Sequence, residues 1–186
     1  MEFDTLTAYY VGSWLLSFLL GLVAHEIGHA VVGRAVGFQP YIITIGIGPV
    51  IMFRRLFGDV WLTLRALPVA GNVKFLPQQG AGRLQQAARV AGGPLANVLL
   101  LAAAGAVYLA NPSTFGTEHL AVTNQESLQI FEAHLTVQMC LNAFSSAQVA
   151  LLATALLPFR HKFAGRHVAS DGWKLWQLAV NPNASV

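Results

Sequence analysis

The sequence predicts an α-helical integral membrane protein: a three-span core bundle, a β-hairpin or small sheet in the loop between spans one and two, and a short C-terminal interfacial helix. Three observations predict it. Hydrophobic residues make up 55% of the 186 and charged residues only 10%, with a mean hydropathy of +0.55. A water-soluble domain usually carries about 25% charged residues to wet its surface, so the solvent here is lipid. Three apolar stretches reach the roughly 20 residues that cross a bilayer. The cations fall on only one side of those stretches.

The first span runs from about Tyr9 to Val36. The second, Val90 to Ala110, and the third, Leu135 to Leu157, contain no charge, and the third stops at Pro158. Between spans one and two, including the flanks, lie Arg34, Arg54, Arg55, Arg65, Lys74, Arg83 and Arg89; after span three lie Arg160, Lys162, Arg166 and Lys174. That accounts for all 11 Lys and Arg. The N-terminus and Asn111–His134 have none, yet hold Glu2, Asp4, Glu118, Glu126 and Glu132. The positive-inside rule therefore puts the N-terminus outside and the C-terminus in the cytoplasm.

The loop 39–77 is β-rich. Tyr41-Ile42-Ile43-Thr44-Ile45 is dense in β-branched residues, and Gly46-Ile47-Gly48-Pro49 interrupts it. From Asp59 to Leu67 the chain alternates: Trp61, Thr63 and Arg65 on one face, Val60, Leu62, Leu64 and Ala66 on the other. That pattern predicts a hairpin with one apolar face, turning at Phe57-Gly58-Asp59. Asn72–Phe75 reads as a further short strand. Ser170-Asp171-Gly172-Trp173-Lys174-Leu175-Trp176 reads as a short helix capped by Ser170, with Trp173 and Trp176 suited to a membrane interface. No repeat, low-complexity tract or Gly/Ser linker divides the chain, so residues 1–186 read as a single membrane-embedded domain.

The same composition excludes other classes. A net charge of +3 from scattered cations makes no phosphate-binding stripe, so no nucleic acid is expected. The first charges are acidic where a cleavable signal would be basic. The single cysteine, Cys140, sits in an apolar run and reads as a small buried hydrophobe.

Chemistry concentrates at His25-Glu26-Ile27-Gly28-His29. Histidines four apart share a helix face and can converge on one metal ion. Glu26 is placed to act as general base on water. Zinc suits the pattern because it makes a nucleophile of water near neutral pH. Three ionisable residues inside a span are expensive in lipid, and that cost points to function. A catalytic zinc usually takes a third protein ligand. Span one runs inward, so this ligand is expected from the inner side, where Asp59, His161, His167 and Asp171 lie; His119 and His134 fall on the other side. Asp171 ranks first, although an acid at a helix N-terminus is equally at home stabilising the dipole.

Taken together, the motifs resemble those of the site-2 protease family, intramembrane zinc metalloproteases, here in a compact form without a PDZ domain. HEIGH lies in a first hydrophobic span. Ala91-Gly92-Gly93-Pro94-Leu95-Ala96-Asn97 resembles the family's G-P-x-x-N segment. Leu156-Leu157-Pro158 followed by Ser170-Asp171-Gly172 resembles its Pro-then-Asp-Gly segment, and Leu64–Phe75 its loop ahead of the second span. The resemblance covers about residues 10 to 178. It implies one catalytic zinc ion on His25, His29 and Asp171, with Glu26 activating water. It also implies a role for Asn97 in holding substrate or the site geometry. The implied substrate is a single-span membrane protein or membrane-bound peptide, cleaved in a prokaryotic cell membrane as in regulated intramembrane proteolysis. An exposed edge of the loop sheet is expected to hold an unwound substrate segment as an added strand.

Two departures stand out. Ala155 occupies a position where the family often has Asn, and Phe159–Ser170 intervenes between the proline and the aspartate. That insertion keeps His161 and His167 open as ligands. Gln138, Asn142, Ser145 and Ser146 form a polar stripe on span three; Asn142 is a candidate substrate contact, or a helix–helix bridge of the kind common in membranes. Other readings are an HExxH protease with a glutamate as third ligand, or a non-catalytic scaffold or metal transporter. The outer placement of the glutamates opposes the former. The lack of any carboxylate or histidine in spans two and three opposes transport.

Overall fold

The computed structural model describes residues 3–78, 80–111, 125–163 and 166–181. The elements are α1 (Phe3–Ala35), β1 (Pro40–Phe57), β2 (Val60–Phe75), α2 (Arg83–Ala110), α3 (Gln125–Leu156), β3 (Arg160–Phe163), β4 (Arg166–Ala169) and α4 (Asp171–Val180). α1, α2 and α3 are each long and apolar enough to cross a membrane, over Thr5–Ala35, Arg83–Ala110 and Glu132–Leu156. The second begins seven residues before the uncharged run expected from sequence. Hydropathy marks only the lipid-length stretch, whereas helical hydrogen bonding continues through turns bearing Arg83 and Arg89. Leucines such as Leu15, Leu16, Leu20, Leu99 and Leu109 point outward and are exposed.

α1 ends where Gly37 adopts φ 99°. Its N–H donates to Arg34 O (3.1 Å), and Phe38 N–H to Gly33 O (2.9 Å), the paired bonds that satisfy a helix's last carbonyls. α1 and α2 cross at small residues. A Cβ on Gly28 would lie 2.8 Å from Ala96 Cβ, and one on Gly92 would lie 2.5 Å from Gly28 O. The backbones therefore touch, as small residues permit in membrane bundles, and this draws α2 onto the histidine face of α1.

The sheet is more folded than a simple hairpin. β1 and β2 pair antiparallel, but Ile42–Ile45 have partners on both sides: Lys74 to Gly71 on one, Trp61 to Leu64 on the other. The second set rises in number together with β1, a parallel relation inside an otherwise antiparallel ladder. Val50 to Phe57 then pair back along Arg65 to Val60. The two strands thus make four ribbons in the order 71–75, 40–45, 60–65, 50–57. Asn72–Phe75, expected as a separate strand, is the far end of β2. The fold-back is set at Gly46, φ 93°, where a Cβ would meet Arg65 O at 2.9 Å. Ile43, Ile45 and Val60 are almost fully buried and pack with Leu22, Ala30 and Leu151, which fastens the central ribbons to the bundle.

The Phe159–Ser170 insertion forms a second antiparallel hairpin, β3–β4, with Arg160 opposite Ala169. Ser170 closes its base. Ser170 N–H donates to Phe159 O (3.1 Å), its hydroxyl donates to Leu157 O (2.6 Å), and the same oxygen accepts from Phe159 N–H (3.2 Å) and Trp173 N–H (3.1 Å). The excursion therefore returns to where it left, and Asp171 opens α4 beside Pro158 despite the long intervening sequence.

Candidate metal centre

His25 and His29 lie one turn apart on α1, and Asp171 is the first residue of α4. Asp171 Oδ2 lies 3.0 Å from each imidazole Nε2, and the two Nε2 atoms are 3.2 Å apart. All three residues are at most 9% exposed. This is the group of metal-ligating side chains found among the described residues.

The opposite ring nitrogens show what these atoms are. His25 Nδ1 lies 2.6 Å from Asn97 Oδ1, and His29 Nδ1 lies 2.9 Å from the carbonyl of Arg89. A carbonyl can only accept, so each Nδ1 carries a proton, and in the neutral imidazole each Nε2 then presents a lone pair. Gly93 N–H also approaches His29 Nδ1, at 3.3 Å, but the shorter bond to a pure acceptor decides the tautomer. Asn97 is oriented in turn: its Nδ2 donates to Gly21 O (3.2 Å) and Gln148 Oε1 (2.8 Å), which leaves Oδ1 for His25. Two lone pairs and a carboxylate thus face one another across about 3 Å, a repulsive arrangement unless a cation lies among them. Donor atoms 2.0–2.2 Å from a tetrahedral zinc are about 3.3 Å apart, close to the separations here. The residues fit a zinc ion.

Backbone shape leaves room for it. A Cβ on Gly93 would lie 2.5 Å from His25 Nε2 and closer still to His29 Nε2. The next residue, Pro94, sits inside α2 and brings no N–H, which leaves Val90 O without its helical donor. The carbonyl before it, on Arg89, is the one that holds His29. The Arg89 guanidinium lies 4.5 Å from the ring centre of Phe38 and 5.1 Å from that of Phe75, which ties the start of α2 to the end of α1 and to β2. Arg83 also donates to Leu178 O, linking α2 to α4.

Asp171 is divided between two duties. Oδ2 faces the histidines, while Oδ1 accepts from Lys174 Nζ at 2.9 Å. The Lys174 ammonium at Oδ1 favours the charged form of this carboxyl. It is therefore ionised, the form that binds metal. Gly172 packs its α-carbon against the Leu156 carbonyl, which seats α4 on the end of α3. Glu26 is 4% exposed, and its Oε2 has no hydrogen-bond partner among the described residues. Its side chain lies against Gly71, where a Cβ would come 2.5 Å from Glu26 Cγ. The outer ribbon of the sheet therefore passes directly over the glutamate.

The remaining candidates lie elsewhere. Asp59 pairs with Arg55 at 2.8 Å at the exposed hairpin turn. Asn142 is exposed and lines a groove with Leu101, Gly105 and Tyr108; it stands six residues, about 9 Å of helix, before Gln148. The side chains of His161 and His167, and the segment with Glu118 and His119, lie outside the described residues. Gln148 and Gly71 escaped the sequence reading. An amide inside an apolar span, apart from the stripe of Gln138 and Asn142, was the available signal for Gln148; nothing local marks Gly71.

Comparison with known proteins agrees with this chemistry. The sequence model of peptidase family M50 matches residues 13–178. A provisionally assigned zinc metalloprotease of Agrobacterium fabrum is 35% identical over 116 residues, covering 49% of this chain and 30% of that protein. Another provisional zinc metalloprotease, from Xylella fastidiosa, is 31% identical over 108 residues, covering 50% of this chain and 24% of its own length. The chain thus matches about a third or less of these relatives' length.

Proposed function

The chain belongs to peptidase family M50, and from that premise we propose that it is an intramembrane zinc metalloendopeptidase of the site-2 type, cleaving single-span or membrane-bound protein substrates. The observation that carries the proposal is the convergence of two imidazole Nε2 atoms and the Asp171 carboxylate beside a buried glutamate oxygen that has no hydrogen-bond partner among the described residues.

Zinc bound by His25, His29 and Asp171 would supply Lewis-acid activation of water and of the scissile carbonyl. The chain's own groups do the rest. Glu26 accepts the proton from the attacking water and passes it to the leaving amine. Its burial against Gly71 keeps bulk water from competing for that oxygen. Asn97 and the Arg89 carbonyl hold the imidazoles in the tautomer that presents Nε2. Lys174 occupies Asp171 Oδ1, so one oxygen remains to face the site.

A transmembrane helix hides its carbonyls in its own hydrogen bonds and must unwind to react. The 71–75 ribbon has a ladder partner only in 40–45 among the described residues, and it crosses Glu26. Its free edge would bind the unwound segment as an added strand and bring a carbonyl to the site. The three long apolar helices and the one-sided cations support a multi-pass protein with the N-terminus outside and the site in the inner half of the membrane.

The test is reconstitution of wild type and Glu26→Gln with a panel of single-span substrates, measuring zinc content beside cleavage. Equal zinc in both with cleavage only by wild type is the expected result. Stoichiometric zinc with no cleavage of any substrate by wild type would favour a metal-binding scaffold.

A further inference from the structure

Gln148 lies in the last third of α3, on a helix that contributes no metal ligand, yet it is 0% exposed. A buried amide in an apolar bundle is costly unless its hydrogen bonds are met. Here they are met in one direction. Gln148 Nε2 donates to Ser17 O at 3.2 Å, and Oε1 accepts from Asn97 Nδ2 at 2.8 Å. The Ser17 carbonyl can only accept, so it dictates which end of the Gln148 amide faces it. That choice turns Oε1 toward Asn97 and asks Asn97 for a donor. Asn97 then presents Nδ2 to Gln148 and Oδ1 to His25 Nδ1, at 2.6 Å. The sense of polarity runs unbroken from a backbone carbonyl on α1, through α3 and α2, back to a histidine on α1. α1 is shaped for this: a Cβ on Gly21 would lie 2.6 Å from both Gln148 amide atoms.

We propose that Gln148 is a positioning residue for the metal centre: it fixes the orientation of the Asn97 amide, and thereby the tautomer in which His25 offers Nε2 to zinc. The inference rests on the zinc reading above. The competing account is that Gln148 merely bridges three helices. The two accounts differ in what they demand of Asn97. Orientation matters only while residue 97 has two unlike ends. In Asn97→Asp both ends accept, there is no N–H for Gln148 to receive, and either oxygen can hold His25 Nδ1–H.

The experiment is zinc competition against a soluble chelator, with thermal unfolding beside it, on the full chain in lipid nanodiscs. The proteins are wild type, Gln148→Met, Asn97→Asp and the double variant. Groups that orient a metal-binding histidine are worth about 10–100-fold in metal affinity when removed. Gln148→Met is expected to lose about 10-fold, the low end, because Gly21 O still holds one Asn97 N–H. In the Asn97→Asp background the same change is expected to cost less than about 2-fold, there being no amide left to orient. An equal loss in both backgrounds, or no loss in either, overturns the proposal in favour of simple bridging. If Gln148→Met does not fold, Gln148→Glu serves instead: it keeps an acceptor for Asn97 Nδ2, and zinc affinity near wild type is expected, whereas a 10-fold loss would overturn the idea. Failure of wild type to take up zinc at all would remove the metal reading, and this inference with it. Zinc uptake by wild type that is insensitive to Gln148 would remove this inference alone.

Discussion

Replacing Gly93 by alanine asks how little room the metal centre has. The added methyl would lie 2.5 Å from His25 Nε2 and 2.7 Å from His25 Cε1, and closer still to His29 Nε2, where ordinary contact begins at 3.4 Å. The His25 ring would have to retreat by about 0.9 Å, the difference between those contacts, while metal–ligand distances tolerate only about 0.2 Å. Moving α2 away instead is resisted where Gly28 and Gly92 bring the two backbones together. A misplacement of about 1 Å at a reacting centre costs about 100-fold in rate, or about 2.7 kcal/mol of barrier. Gly93→Ala is therefore expected to cleave at least about 100-fold more slowly and to hold zinc more weakly, with helix content unchanged. The assay is zinc per protein after chelator challenge, together with cleavage in the same nanodiscs. Gly105→Ala on the same helix is the control, because its new Cβ meets nothing within 4 Å. Wild-type zinc retention and cleavage in Gly93→Ala would refute the reasoning that the ion shares the space beside this glycine.

Four further substitutions separate the parts of the site. Gly71→Val drives its side chain into Glu26, so cleavage is expected to fall at least about 10-fold as the base is misplaced, with zinc content unchanged; simultaneous loss of zinc would argue against the assignment. Gly172→Ala forces a methyl into the Leu156 carbonyl, and backbone cannot rotate away as a side chain can. Displacement of α4 is expected to lower both zinc content and the unfolding temperature, by roughly 1–3 kcal/mol in stability terms, and a neutral result would refute the seating of Asp171 through Gly172. Asn72→Pro and Val73→Pro each remove one N–H from the outer ribbon, and adjacent N–H groups point to opposite sides of a strand. One of the pair is expected to lose cleavage while zinc stays bound, because it removes a donor from the free edge; full cleavage by both would exclude strand addition there.

The proximity of His25, Glu26 and His29 was readable because a helix of fixed pitch converts spacing into position. The place of Asp171 at a helix start was readable by a different route, from the local Ser170 cap, and its nearness to the histidines is what the expected inward topology called for. The three long apolar helices were readable because an apolar run of that length marks itself in the sequence. Other features depend on non-local meetings that no window of sequence contains. The fold-back of β1 at Gly46 assigns two partners to Ile42–Ile45, whereas alternation of side chains reports only faces. Gly71 reads as a loop glycine, and only the sheet's placement brings it over Glu26. Gln148 is one polar residue in an apolar run; its importance lies in the carbonyl of Ser17 opposite, which every residue possesses and no sequence pattern marks. The insertion before Asp171 lengthens the spacing along the chain but not in space, because Ser170 joins its two ends.

That insertion has a consequence for how such a chain can vary. Ser170 clasps both ends of the β3–β4 excursion, so the position of Asp171 is indifferent to the length of chain looped out ahead of it. Additions to the hairpin would leave the clasp, and with it the metal geometry, where they are. The site is therefore insulated from one of its own neighbouring segments, which makes this hairpin the natural place to graft a reporter, or for divergence to attach a recognition element, without retuning the chemistry.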